Sequence, residues 1–143
     1  MERNDILAVG RKITCYLGTF EISELDHLNI VKNDIGFIVI EQEHAVAVYI
    51  TEKSIEVFDP LGLGNSAVFS PICAFLAEHL PCKSLQISAK FQSDLSNSCA
   101  KFCLIFLYLR CHGYPFHTVH NLFSCDLVSN EHKVDALFDS LFK

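Results

Sequence analysis

Three features of this chain predict an α+β fold. First, Ile35-Gly36-Phe37-Ile38-Val39-Ile40, His44 to Thr51 and Ile55-Glu56-Val57-Phe58 are strand-like runs joined by short polar links. Such spacing predicts an antiparallel meander. Second, the run from Cys99 to Arg110 is apolar on nearly every helical face, which predicts a helix inside the core rather than over it. Third, Gln92 stands seven residues before the Cys that opens this run, and a His and an acid lie upstream in His44 and Asp59.

The remaining elements follow in chain order. Residues 1 to 13 read as an N-terminal helix with Ile6, Leu7 and Val9 available for burial. Cys15-Tyr16-Leu17-Gly18-Thr19-Phe20 is a short apolar stretch that leads into a polar loop or turn. After the meander, Pro60, Gly62 and Gly64 break the chain. Pro71 can open a helix, Ile72 to Leu80 carries apolar residues at helical spacing, and Pro81 ends it. Leu85, Ile87 and, less regularly, Phe91 mark another strand. Residues 93 to 98 form a small polar loop, and Asn97 or Ser98 suits the N-cap of the core helix. Gly113-Tyr114-Pro115 breaks that helix. A last helix is predicted from Glu131 to Phe142, with Val134, Leu137, Phe138 and Leu141 on one face. No repeat, low-complexity segment or linker divides residues 1–143, so they read as a single domain.

Composition narrows the function classes. Half of the 143 residues are hydrophobic and 20% are charged, the balance of a folded globular domain. The net charge is −6, with Lys and Arg scattered, so no basic surface for nucleic acid or phospholipid stands out. The longest apolar stretch, Phe102 to Leu109, falls short of the about 20 residues of a membrane span. No signal-peptide pattern follows Met1, and a soluble, intracellular protein is expected. Seven cysteines, at 15, 73, 82, 99, 103, 111 and 125, are then expected as thiols. Their spacing forms no zinc set. Cys111-His112 with His117 and His120 is the nearest approach, and no metal is expected.

His, Asp, Gln and Cys are the parts of a cysteine peptidase. A thiolate is the nucleophile, and the first turn of a helix favours negative charge there. His44, held on a strand, could activate the thiol of Cys99 and give a proton to the leaving amine. Asp59 could orient the imidazole and stabilise its protonated form. The side-chain amide of Gln92 and the backbone N–H of Cys99 could cradle the developing oxyanion. Each residue also has an ordinary reading. A strand His is commonly a core partner, Asp before Pro a turn residue, Gln92 a surface strand residue, and a helical Cys inert packing. Cys73, Cys103 and Cys111 fit that last description.

The chain resembles the adenain-like (adenovirus-type) cysteine proteases over nearly its whole length. Gln92, Asn97-Ser98, Cys99, Phe102-Cys103 and the apolar Leu104-Ile105-Phe106-Leu107 are similar to the family's nucleophile block. Phe58-Asp59-Pro60-Leu61-Gly62 is similar to its Phe-[Asp/Glu]-Pro-Phe-Gly. His44 opens a strand fifteen residues before that acid, and Tyr16-Leu17-Gly18-Thr19-Phe20 is similar to an N-terminal Leu-Gly-Thr-aromatic element. The chain departs from the family in having Ala45 where Trp usually follows the His, and Ala100 where Gly usually follows the nucleophile. It is also shorter.

The resemblance implies a papain-like α+β core in permuted order, shared with proteases of ubiquitin-like modifiers. Its central sheet would be mixed and mainly antiparallel, with the nucleophile at the N-terminus of a buried helix. It implies Cys99 as nucleophile, His44 as base and acid, Asp59 as orienting group and Gln92 as oxyanion donor. It further implies a viral endopeptidase that matures capsid or core precursor proteins near small residues such as Gly. Such an enzyme would act in the host, in the nucleus or at the site of virion assembly, and in the virion. No cofactor is needed for the chemistry. The family is activated by a disulfide-linked peptide and by DNA. Cys82 lies near the position that takes the peptide, offset by one residue, whereas the acidic charge argues against DNA activation. Two other readings stand beside this one: a protease of ubiquitin or ubiquitin-like modifiers, and a relic that keeps the fold for binding.

Overall fold

The three strand-like runs become the middle of one five-stranded sheet. The computed structural model describes residues 1–42, 44–62, 69–93 and 97–143. The expected break at Gly64, the loop residues 94–96 and Glu43 lie outside the described residues. The strands are β1 (Tyr16–Glu21), β2 (Ile35–Glu41), β3 (His44–Ile50), β4 (Ser54–Phe58) and β5 (Ser84–Ile87), in spatial order β1-β2-β3-β4-β5. The central pairs β2/β3 and β3/β4 are antiparallel, the expected meander. Both outer pairs, β1/β2 and β4/β5, are parallel, which makes the sheet mixed.

Parallel neighbours need a crossover. A 3₁₀ turn, Ile22–His27, provides one between β1 and β2, and helix α2 (Phe69–His79) provides the other. Both pack on one face of the sheet, where Leu25, Ile72, Phe75 and Leu76 meet Phe37, Val39, Val46, Val48 and Val57. The opposite face carries α1 (Arg3–Gly10), α3 (Cys99–Cys111), α4 (Phe116–His120) and α5 (Leu127–Phe142). Two covered faces explain why β2, β3 and β4 read as nearly unbroken apolar runs rather than as alternating ones.

The core helix runs through the molecule as its all-round apolarity predicts. Phe102, Cys103, Leu104, Ile105, Phe106 and Leu107 are all fully buried. Phe106 stacks on Phe58 with ring centroids 4.6 Å apart, which joins α3 to the end of β4. Small residues let the helix come close. Ala45 and Ala47 face it from β3, and a Cβ at Gly36 of β2 would stand 2.5 Å from Leu107 Cδ2. At its far end Arg110 forks onto Glu56 of β4, with Nε–Oε1 at 2.6 Å and Nη2–Oε2 at 2.9 Å, and lies over the Tyr49 ring.

Three elements differ from the sequence expectation. Tyr16–Glu21 is a parallel edge strand rather than a lead into a loop, its six residues too few for a clear period. The short α4 follows Pro115, and five residues carry no periodic signal. Helix α5 begins at Leu127, not Glu131, because Asp126 caps it by accepting from Ser129 N–H at 3.2 Å. Its buried face there is the polar Asn130, whose amide donates to the Phe91 and Ser124 carbonyls at 3.1 and 2.7 Å.

Phe106→Ala removes the ring that joins α3 to β4. It should cost about 3–5 kcal/mol of unfolding free energy, measured in urea with the slope unchanged. A loss under about 1 kcal/mol would show that this contact does not hold the two layers together.

Candidate active site

The site sits where three elements end together. A tight hairpin joins β2 to β3 and pairs Glu41 with His44, so His44 is the first residue of β3. Gln42, in that turn, takes φ 55°, the left-handed conformation that two-residue hairpin turns require. On the neighbouring strand β4 ends at Phe58, and Asp59 follows at once. His44 Nε2 lies 2.9 Å from Asp59 Oδ1. The carboxyl group is wholly buried, and the same oxygen accepts from Leu61 N–H at 3.0 Å. One carboxylate oxygen therefore serves the Asp-Pro turn and meets the imidazole as well. The side chain shapes the turn and holds the imidazole.

Ser88, just beyond β5, fixes Asp59 from behind. Its hydroxyl accepts from Asp59 N–H at 2.9 Å and donates to Asp59 C=O at 3.0 Å. Sequence reasoning did not single out Ser88, since a serine at a strand end carries no distinctive pattern. The next carbonyl, that of Pro60, accepts from Phe91 N–H and Gln92 N–H at 2.8 and 2.9 Å. Gln92 is thus buried and tied through its backbone to the residue after Asp59.

Cys99 is the first residue of α3, with Ser98 as N-cap. It is buried, interacts electrostatically with His44 and lines the same cleft. Burial opposes a charge on His44. The hydrogen bond to Asp59, the one with Cys99 and the attraction of both groups outweigh it and raise its pKa from 6.5 to about 9. The structure therefore brings His44, Asp59 and Cys99 into one chain of contacts, with Gln92 tied to the same corner. Cys82 stands apart, exposed in the turn between α2 and β5.

A cleft of about 490 Å³ opens beside the thiol. His44, Ala45, Asn97, Cys99 and Ala100 line one side of it, and Glu2, Arg3, Ile6 and Glu21 the other. That size is ordinary for a ligand site. The contribution of α1 was not legible, because nothing in the first residues marks them as neighbours of Cys99. Among the described residues no cluster of His, Cys, Asp and Glu could hold a metal ion, and no helix is long and apolar enough to cross a membrane.

No family model matches the chain, and no curated protein matches it by sequence. Solved structures do match it in shape. The central domain of the uncharacterized Lpg1148 protein from Legionella pneumophila superposes with a TM-score of 0.52 at 15% identity, covering 97% of this chain and 98% of that one. AvrA delL154, solved with IP6 and CoA, gives 0.54 at 16% identity and covers 90% of this chain; the match spans about half of AvrA, 55%. A looser likeness, 0.48 at 11% identity, is to the SUMO protease Ulp1, over 99% of this chain and 76% of that one. At these identities the first two structures share the fold alone with this chain, the papain-like α+β core expected from the sequence with its mixed sheet.

The raised pKa of His44 has a thermodynamic consequence. A base that binds its proton more tightly folded than unfolded adds stability while protonated. The contribution is complete below pH 6.5 and is lost as the pH rises through about 9. NMR titration of the His44 ring should give a midpoint near 9, falling in Asp59→Asn. A midpoint at the ordinary 6.5 would mean that the Asp59 contact does not form.

Proposed function

We propose that this chain is a cysteine peptidase of the adenain type. The observation that carries the reading is the contact chain Asp59–His44–Cys99, with the cysteine opening a buried helix and lining an open cleft. The adenain resemblance of the sequence blocks around these residues supports the same roles.

In this reading Cys99 Sγ attacks the scissile carbonyl carbon as a thiolate, and a C–S bond forms as the carbonyl π pair moves to oxygen. The oxyanion is met by the backbone N–H of Cys99 and the side-chain amide of Gln92. The imidazolium of His44 then gives its proton to the leaving amine, and the C–N bond breaks. A thioester joins the acyl part of the substrate to Cys99. His44, now neutral, takes a proton from water, whose oxygen displaces the thiolate. Asp59 holds the ring so that one nitrogen faces Cys99 throughout.

The substrates are proteins, and the finer reading is a viral endopeptidase that matures capsid or core precursors near Gly, within the host and the virion. An activating peptide would take the exposed thiol of Cys82; DNA is not expected to take part. The alternative substrate is the precursor of a ubiquitin-like modifier. The Phe58-Asp59-Pro60-Leu61-Gly62 and Leu17-Gly18-Thr19-Phe20 elements favour the first, and Ala45 supplies no Trp of the kind a modifier protease usually uses to clamp a Gly-Gly tail.

Peptidase assays on Gly-containing precursor peptides and on ubiquitin-like precursors separate these readings. Cys99→Ala should abolish cleavage with the fold intact by circular dichroism, and full activity would end the proposal. Gln92→Ala should lower kcat about 100- to 1000-fold with little change in KM. An unchanged kcat would remove Gln92 from the oxyanion role. Independently of any substrate, iodoacetamide near pH 6 should label Cys99 selectively, because ordinary thiols with pKa about 8.5 react slowly there. That selectivity should vanish in His44→Ala. Uniformly slow labelling of the wild-type chain would mean that the pair is unformed in the free protein, which leaves a missing activator or the relic reading.

A further inference from the structure

The core helix carries cysteines at both ends. Cys99 opens it and Cys111 closes it, separated by about 18 Å of helix. Cys111 faces the turn before β1, where Cys15 N–H donates to Cys111 Sγ at 3.2 Å. Cys15 Sγ lies 4.0 Å from the carbonyl of Leu107, one turn back along the helix, so both residues meet at the same end of α3. Both residues are half-buried and line a pocket of about 380 Å³ with Tyr16, Asp34 and Tyr49. The pair is therefore in contact, open to a small reagent, and remote from the cleft beside His44.

We propose that Cys15 and Cys111 are a modification site, a dithiol that a peroxide converts to a disulfide joining the β1 edge to the C-terminal end of α3. One sulfur attacks a peroxide oxygen, the O–O bond breaks, and a sulfenic acid forms with loss of water. The second sulfur attacks that sulfur, the S–O bond breaks and water leaves. The two thiols lose two electrons and two protons, and hydrogen peroxide is reduced to two waters. An S–S bond is about 2 Å long, and Cys111 Sγ already rests 3.2 Å from the Cys15 backbone nitrogen, so closing the bond asks for side-chain rotation rather than movement of the chain.

Two properties set the behaviour of the pair. Burial, followed by the hydrogen bond and charge interaction with Cys111, pushes the Cys15 thiol up to about 12. Cys15 therefore stays a thiol near neutral pH, and the bond should form faster as the pH rises. The link would close a loop of 96 residues, and long loops gain most from a crosslink. Oxidation should then raise Tm by about 5–10 °C.

The test uses the full chain and hydrogen peroxide, followed by blocking of the remaining thiols, tryptic digestion and mass spectrometry. The expected product joins the peptide 13–32 to the peptide 111–133. Because Cys125 lies in the second peptide, fragmentation must place the link on Cys111, and Cys125→Ser should retain it. Cys111→Ser should lose both the link and the rise in Tm. Free, alkylatable Cys15 and Cys111 after Cys99 has been oxidised would overturn the proposal, as would a link to Cys125. Because the wild-type map needs no variant, a poorly folding Cys111→Ser does not block the test. None of these readouts depends on peptidase activity, so the site stands or falls apart from the proposed function.

Discussion

How closely α3 lies on the sheet decides nearly everything else. Cys103 shows the constraint at one atom. Its Sγ lies 3.4 Å from the carbonyl of Ala45 and 3.9 Å from that of Phe58. Ala45 follows His44, and Phe58 precedes Asp59. Cys103 is also one helical turn after Cys99, on the same face. A single small, fully buried side chain thus sits between the neighbours of His44 and Asp59 and beneath Cys99. Burial holds its thiol well above the ordinary range, so its part is packing rather than reaction. A bulkier residue there would lift the helix off both strands and separate Cys99 from His44.

The far end of α3 solves a different problem, that of register. A bare hydrophobic contact tolerates sliding, but the fork of Arg110 on Glu56 has one satisfied geometry. Such a buried pair adds little net stability, because desolvation offsets most of the attraction. Breaking it by removing one partner would cost about 3–5 kcal/mol, since a buried charge would be left alone. The pair therefore fixes where the helix stops along β4, and by rigidity where it starts. The start is Cys99. A charged strand residue more than a turn away from the cleft thus helps to set the position of the thiol.

Much of this was legible in the sequence, and the reasons are specific. The central strands announced themselves because both faces are covered, which makes Phe37 to Ile40 and Ala45 to Ile50 continuous apolar runs. The all-apolar run after Cys99 could only be a core helix. The order of His44, Asp59, Gln92 and Cys99 marked the corner where the structure brings the first two and the last into contact. What could not be read was long-range partnership between polar groups. Ser88 holds both backbone groups of Asp59, Asn130 anchors the start of α5 to Phe91, and Glu56 receives Arg110. Each is a common surface residue type that becomes buried only because the fold supplies a partner. The parallel pairing of β1 and β5 was hidden for a related reason, since it depends on crossovers and not on the strands' own residues.

Ala45 shows how packing constrains the residue that follows His44. Its side chain belongs both to the core layer between β3 and α3 and to the lining of the cleft. It is almost wholly buried, and its carbonyl receives the Cys103 thiol. An indole at this position would need space that α3 already fills, and overpacking a closed core commonly costs about 1–3 kcal/mol or more. Keeping His44 against Cys99 with a Trp at 45 would require the helix to sit farther out, with larger residues than Ala47 and Gly36 beneath it. Small residues at 36, 45 and 47 are thus one coordinated choice. They bring the helix close, and a small side chain after His44 is the consequence.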